Sequence, residues 1–144
     1  METNDVVMSG IQIKKLVYRK VEPIIQEYDL RQVELDLLIF LRKEKNVDTA
    51  KKIIERKHLS KAHISKSIEN LRLGGFIKLT EDENDHRVLH ISLTEKSNAV
   101  INKVAEVYAE CREIMQNGIS PEELEVAKRV ILKMKENVNR SLGE

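Results

Sequence analysis

Residues Lys61, His63, Ser65, Lys66, Ser67 and Asn70 place two ammonium groups, an imidazole, two hydroxyls and a carboxamide within one short stretch. Together they supply the charge that holds phosphates and the directional donors and acceptors that read base edges. A second group lies in the segment DHRVLHISLT, Asp85 to Thr94. There a carboxylate stands two residues before the Arg87 guanidinium, and alternating apolar residues follow. An arginine presented this way suits a narrow A·T-rich minor groove, whose potential attracts a guanidinium. The plainer alternatives are a solvated helix face and an exposed ion pair worth ~0–1 kcal/mol. Against the first stand Ser65, Ser67 and Asn70, poor helix formers where a solvated face favours Glu, Lys and Gln.

Other chemistries find less support. His58, His63, His86 and His90 all fall in the middle of the chain. On a strand, His86 and His90 would stand about 13 Å apart, whereas zinc demands convergent ligands. The histidines therefore read as surface polar residues, and no metal or other cofactor is expected. Cys111 is the only cysteine, which excludes an internal disulfide and a CxxC-type zinc site. On an apolar helical stripe it reads as a small, inert hydrophobe. With no Gly-rich phosphate loop, nucleophile elbow or HExxH pattern, an enzyme is not expected. The N-terminus lacks the basic start of a signal peptide, and the longest apolar run, Leu37 to Leu41, is far short of the ~20 residues that span a bilayer. A soluble, cytoplasmic protein with no membrane partner is the expectation.

Helices must position these groups. An apolar stripe from Val6 to Tyr28 predicts a first helix, with Pro23 marking a kink or break. Asp29 is the expected cap of a second helix burying Val33, Leu37, Leu38 and Leu41. Asp48 is the expected cap of a short third, with Ala50, Ile53 and Ile54 inward. Ser60 caps a fourth helix, whose Ile64, Ile68 and Leu71 face the core while the Lys61 to Asn70 cluster faces out. Gly74-Gly75 ends it. Phe76 to Thr80 and Val88 to Leu93 read as paired strands around a polar loop, with Leu89, Ile91 and Leu93 on one face. Thr94 can cap a long helix from Glu95 to about Asn117. Ser120-Pro121-Glu122-Glu123 is a capping box opening a last one. Met8, Tyr18, Tyr28, Tyr108, Met115 and Met134 recur at helical spacing and read as core.

The expected fold is thus mostly α with a small β-hairpin: a winged helix-turn-helix plus long flanking helices whose apolar stripes call for a second copy of the chain. The net charge of +1 hides an asymmetry. Between Arg42 and Ser92, twelve basic residues face eight acidic ones, a local excess that points to an anionic partner.

This order, with an aspartate and arginine at the wing tip (Asp85, Arg87), a strand ending in Leu93-Thr94, and a helix closing in Leu71-x-x-x-Gly75 before Phe76 and Ile77, resembles the MarR family of dimeric winged-helix transcription factors and the related Sar-type regulators. By motif the resemblance covers roughly Leu30 to Lys96. It departs at Leu79, where many relatives carry arginine, and in the acidic Glu81-Asp82-Glu83 of the wing loop. The resemblance implies that the fourth helix enters the major groove, with Lys61, His63, Ser65 and Lys66 towards bases and phosphates. It implies that Ser60 aims a helix N-terminus at phosphate, and that Arg87, held by Asp85, enters the minor groove. It further implies residues 30–94 as the DNA-binding region, residues 1–29 and 95–144 as the helical dimerisation region of one structural domain, and a pocket responsive to small phenolic or lipophilic effectors. Double-stranded DNA and a second copy are the expected partners, and repression of transcription the expected outcome. The competing reading is a winged-helix protein–protein interaction module without DNA binding, favoured by the near-neutral charge and the acidic wing.

Overall fold

The computed structural model describes residues 3–57 and 59–143. Its chain divides into two compact units, Met1–Tyr108 and Ala109–Glu144. The described residues form helices α1 (Thr3–Glu27), α2 (Gln32–Lys43), α3 (Ala50–Lys57) and α4 (Lys61–Leu73), strands β1 (Ile77–Glu81) and β2 (Leu89–Leu93), then helices α5 (Glu95–Gln116) and α6 (Pro121–Leu142). The order is that of a winged helix-turn-helix with long helices on either side. His58, read above with the other histidines, lies outside the described residues.

In the first unit, one apolar cluster gathers Val21, Ile24 and Ile25 of α1, Leu35, Leu37, Leu38 and Leu41 of α2, Ile53 of α3, and Ile64, Ile68 and Leu71 of α4. Leu30, Val47, Phe76, Ile77, Ile91, Val100 and Val104 complete it. Of the kink or break expected at Pro23, there is no break: helix α1 runs through it. It ends at Asp29, whose φ of 51° is left-handed; the Leu30 N–H bonds the Ile25 carbonyl and the Asp29 N–H the Gln26 carbonyl. This pair closes a helix C-terminus. Asp29 therefore finishes α1 and does not cap α2, whose cap position is held by Arg31. Val33 faces solvent, while Leu30 and Leu35 are buried instead.

The start of α3 differs from expectation in the same way. Thr49 occupies the capping place, its Oγ1 accepting from the Lys52 N–H at 3.4 Å, and Asp48 turns outward to other partners described below. Helix α4 opens on Ser60, whose Oγ accepts the His63 N–H. It closes where Gly75, at φ 77°, directs the Phe76 N–H to the Leu71 carbonyl at 2.9 Å. Gly74 has a separate reason to be glycine: an added Cβ would lie 2.7 Å from the Phe76 ring.

The antiparallel strands pair Ile77 with Leu93, Leu79 with Ile91 and Thr80 with His90. Ile77 and Ile91 are buried, but Leu89 is exposed, because the hairpin leaves the core towards its tip. At its base Thr94 Oγ1 donates to the Gly75 carbonyl at 2.7 Å and accepts from the Ser97 N–H that begins α5.

The second unit holds the end of α5 and all of α6. Ser120 and Glu123 form the expected capping box, with the Ser120 N–H donating to Glu123 Oε2 at 2.8 Å. No residue of α6 is buried within the single chain. Cys111 is buried and unpaired. Contrary to a core assignment, Met8, Tyr18, Tyr108, Met115 and Met134 are all exposed. Only Tyr28 packs inward, its ring edge-on to Phe76. No described helix is long and apolar enough to cross a membrane.

Candidate nucleic-acid interface

Helix α4 presents Lys61, His63, Ser65 and Lys66 on its exposed side, while Ile64, Ser67, Ile68 and Leu71 face the core. Ser67 thus corrects the sequence reading: it is only 1% exposed. It falls on the same i, i+3, i+4, i+7 row as the apolar residues, and a small side chain fits there. The signal was present in the spacing.

At the helix start the Ser60 hydroxyl lies 2.7 Å from His63 Nδ1, so the serine both caps the backbone and orients the imidazole. Further along, Asn70 directs its amide Nδ2 to Glu34 Oε1 of α2 at 2.9 Å. Glu34 is 4% exposed and also accepts the Arg31 N–H at 2.9 Å and its guanidinium at 2.8 and 2.7 Å. Burial pushes this carboxyl up, but the Arg31 N–H, the Asn70 amide and the Arg31 guanidinium together outweigh it and hold the pKa below the usual value.

In the hairpin, the Arg87 side chain is 91% exposed and paired with Asp85. Nε donates to Oδ1 at 3.0 Å, a terminal nitrogen to Oδ2 at 3.3 Å, and the Arg87 backbone N–H again to Oδ1. These bonds, the side-chain one first, hold the Asp85 pKa low. The guanidinium is therefore oriented yet reachable. The loop behind it is braced: the Val88 N–H bonds the Asp85 carbonyl and the Asp82 N–H the Val88 carbonyl.

The acidic run is largely engaged internally. Glu81 Oε2 lies 2.9 Å from His86 Nδ1. Asp82 Oδ2 accepts the N–H groups of Asn84 and Asp85 at 2.9 and 3.1 Å, and its Oδ1 lies 2.8 Å from His90 Nε2. His90 also contacts Asp48 through Nδ1 at 2.7 Å. The sequence reading of His90 as a plain surface residue missed this bridge. Its second anchor is 42 residues away, and no local pattern announces it. Among the described residues, no group of three or more His, Cys, Asp or Glu side chains is arranged to hold a metal ion.

A helix-turn-helix leading into a charged hairpin, between long helices, defines a MarR-type winged-helix transcription regulator. Residues 19–104 match the family described as transcriptional regulator SarA/Rot, and the chain belongs to that family. It is 28% identical over 93 residues to the HTH-type transcriptional regulator SarZ of Staphylococcus aureus strain USA300, an alignment covering 65% of this chain and 62% of that protein. The chain thus matches somewhat less than two thirds of that relative's length. In fold it is similar to a MarR protein from Peptoclostridium difficile, with a TM-score of 0.75 at 20% identity over 98% of this chain and 91% of the other. It is also similar to the S. aureus MepR–DNA complex, with a TM-score of 0.67 at 20% identity over 88% and 95%.

Proposed function

We propose that this protein is a DNA-binding repressor of transcription that acts in the cytoplasm as a homodimer on a pseudo-palindromic, A·T-rich operator. Helix α4 of each copy enters a major groove with Lys61, His63, Ser65 and Lys66, and Asn70 stands at the edge of the same face. Ser60 points the N-terminus of that helix at a phosphate, and Arg87 with Asp85 reaches the adjacent minor groove. Residues 30–94 form the reading region, and residues 1–29 and 95–144 the dimerisation region. Two half-sites would lie about one helical turn apart.

The observation that carries this reading is the exposed Arg87 guanidinium, fixed by its neighbour and set in the same unit as the exposed basic face of α4. The likeness to a regulator solved on DNA supports it. The acids that favour a protein-holding module weigh less once Glu81 is paired with His86, and Asp82 with His90 and two backbone N–H groups. A small effector would release the DNA from a cleft of about 520 Å³ lined by Tyr28, Leu30, Arg31, Leu73, Phe76 and Lys96.

The test is selection of duplexes from a random library, followed by a salt titration. With about four phosphates neutralised per copy, log K should fall with log salt at a slope of roughly −7. A slope near zero, or no duplex selected, rejects DNA binding.

A further inference from the structure

The two ring nitrogens of His90 face carboxylates from different parts of the chain. Nδ1 meets Asp48, just before α3, at 2.7 Å, and Nε2 meets Asp82, in the wing loop, at 2.8 Å. Both anchors are themselves fixed. Asp48 accepts Lys52 Nζ at 2.8 Å, and its backbone carbonyl accepts the Ile91 N–H at 2.6 Å. Asp82 uses its other oxygen to hold the N–H groups of Asn84 and Asp85, and Asp85 holds Arg87. A connected run of polar contacts therefore leads from the start of α3, through His90, to the guanidinium at the wing tip.

We propose that His90 is a positioning residue for the wing: by bridging Asp48 and Asp82 it ties the loop that carries Arg87 to the helix-turn-helix, and so sets where Arg87 meets DNA. This rests on the reading above, in which Arg87 enters the minor groove. The chemistry of the ring makes the bridge conditional. Only the imidazolium carries two N–H donors; a neutral ring donates to one carboxylate and turns a lone pair towards the other. The charged groups around it are Asp48 and Asp82, Lys52 of α3 beyond Asp48, Lys78 on the same face of β1, and the Glu81–His86 pair at the start of the loop. Hydrogen bonds donated to Asp82 first, and to Asp48 second, raise the His90 pKa above the ordinary histidine value. The bridge is complete on the acid side of that raised value and loses one of its two donors above it, so affinity for DNA should fall as pH rises through it.

The experiment uses the full chain and a duplex that the native protein selects from a random library, with affinity measured by fluorescence anisotropy across pH. The native protein should bind about fivefold or more weakly at the alkaline end of the profile, the loss falling above the ordinary histidine value because the His90 pKa is raised. His90→Gln, with one donor nitrogen, should be weak throughout. His90→Arg keeps several donors at every pH and should restore binding with a flatter profile. In an Arg87→Ala background, His90→Gln should have no further effect, since both act through the same contact. A His90→Gln variant with native affinity and native pH dependence overturns the inference and leaves the DNA-binding reading intact. A native chain that selects no duplex overturns both. Independently of DNA, amide exchange at Asn84 and Asp85 should quicken in His90→Gln; unchanged protection in a variant that melts like native overturns the bridge itself.

Discussion

Asn70 and Glu34, 36 positions apart, are joined by a 2.9 Å hydrogen bond that fastens the outer face of α4 to the first turn of α2. The carboxylate is buried and also collects the Arg31 N–H and guanidinium. One acidic side chain thus opens α2 and fixes the helix that carries the candidate reading face.

Removing that carboxylate should be felt at once. Glu34→Ala leaves the Asn70 amide and the Arg31 groups without their acceptor and should cost about 1–3 kcal/mol, read as a lowered melting temperature. The pH dependence has a definite sign. A carboxyl with a lowered folded-state pKa contributes stability above its ordinary value, which is lost as pH falls through the lowered one. The native protein should therefore lose stability on acidification, and Glu34→Gln should flatten part of that loss. An identical acid limb in both proteins would contradict an ionised Glu34.

Arg87→Ala should weaken DNA binding by about 1–3 kcal/mol per half-site, the scale of a good base contact. The side chain is highly exposed and, among the described residues, its ion pair is with Asp85, so the melting temperature should hardly move. Unchanged affinity in an anisotropy titration would reject the wing assignment.

Lys66→Ala separates two roles for an exposed lysine on α4. If the ammonium meets a phosphate, affinity drops evenly across sequences and the salt slope of the homodimer becomes shallower by about 2, one contact being lost from each copy. If it reads a base, preference relaxes at one position of the selected site while the slope changes little. Salt titrations on the selected duplex and its single-base variants distinguish these. No change in either measure removes Lys66 from the interface.

Which features the sequence disclosed follows from the range of the forces involved. Ser60 and Ser120 as helix caps, the strand pairing and the wing pair Asp85–Arg87 depend on neighbours within a few residues, and local pattern was enough to read them. Asp29 was misread because its left-handed backbone closes α1, and Asp48 because a carboxylate before a helix has two outlets. It can cap, or it can turn to a partner that only the folded chain supplies, as Asp48 does with His90. Glu34 drew no attention in the sequence because its partner Asn70 arrives from another helix. Val33, expected inside, is exposed and Leu30 is buried beside the left-handed turn at Asp29, which no apolar periodicity encodes.

The stripe on α6 leads to the prediction with the widest reach. Val126, Val130, Ile131, Met134, Val138 and Leu142 are all exposed in the single chain, Ile131 to 63%. So long an exposed apolar row is unusual on a monomer, and fully burying one such side chain contributes about 1.5–3 kcal/mol. A second copy supplies that cover in the proposed homodimer. Replacing Ile131 and Val138 together by Asp should therefore dissociate the protein at micromolar concentration in sedimentation. Melting of the first unit should be little altered, because α6 contributes no buried residue within its own chain. The monomer would carry one reading face, so its salt slope on the selected duplex should fall from roughly −7 to about −3.5. A native protein that already sediments as a monomer would remove the homodimer from the proposal, and a double variant that stays dimeric would move the interface away from α6.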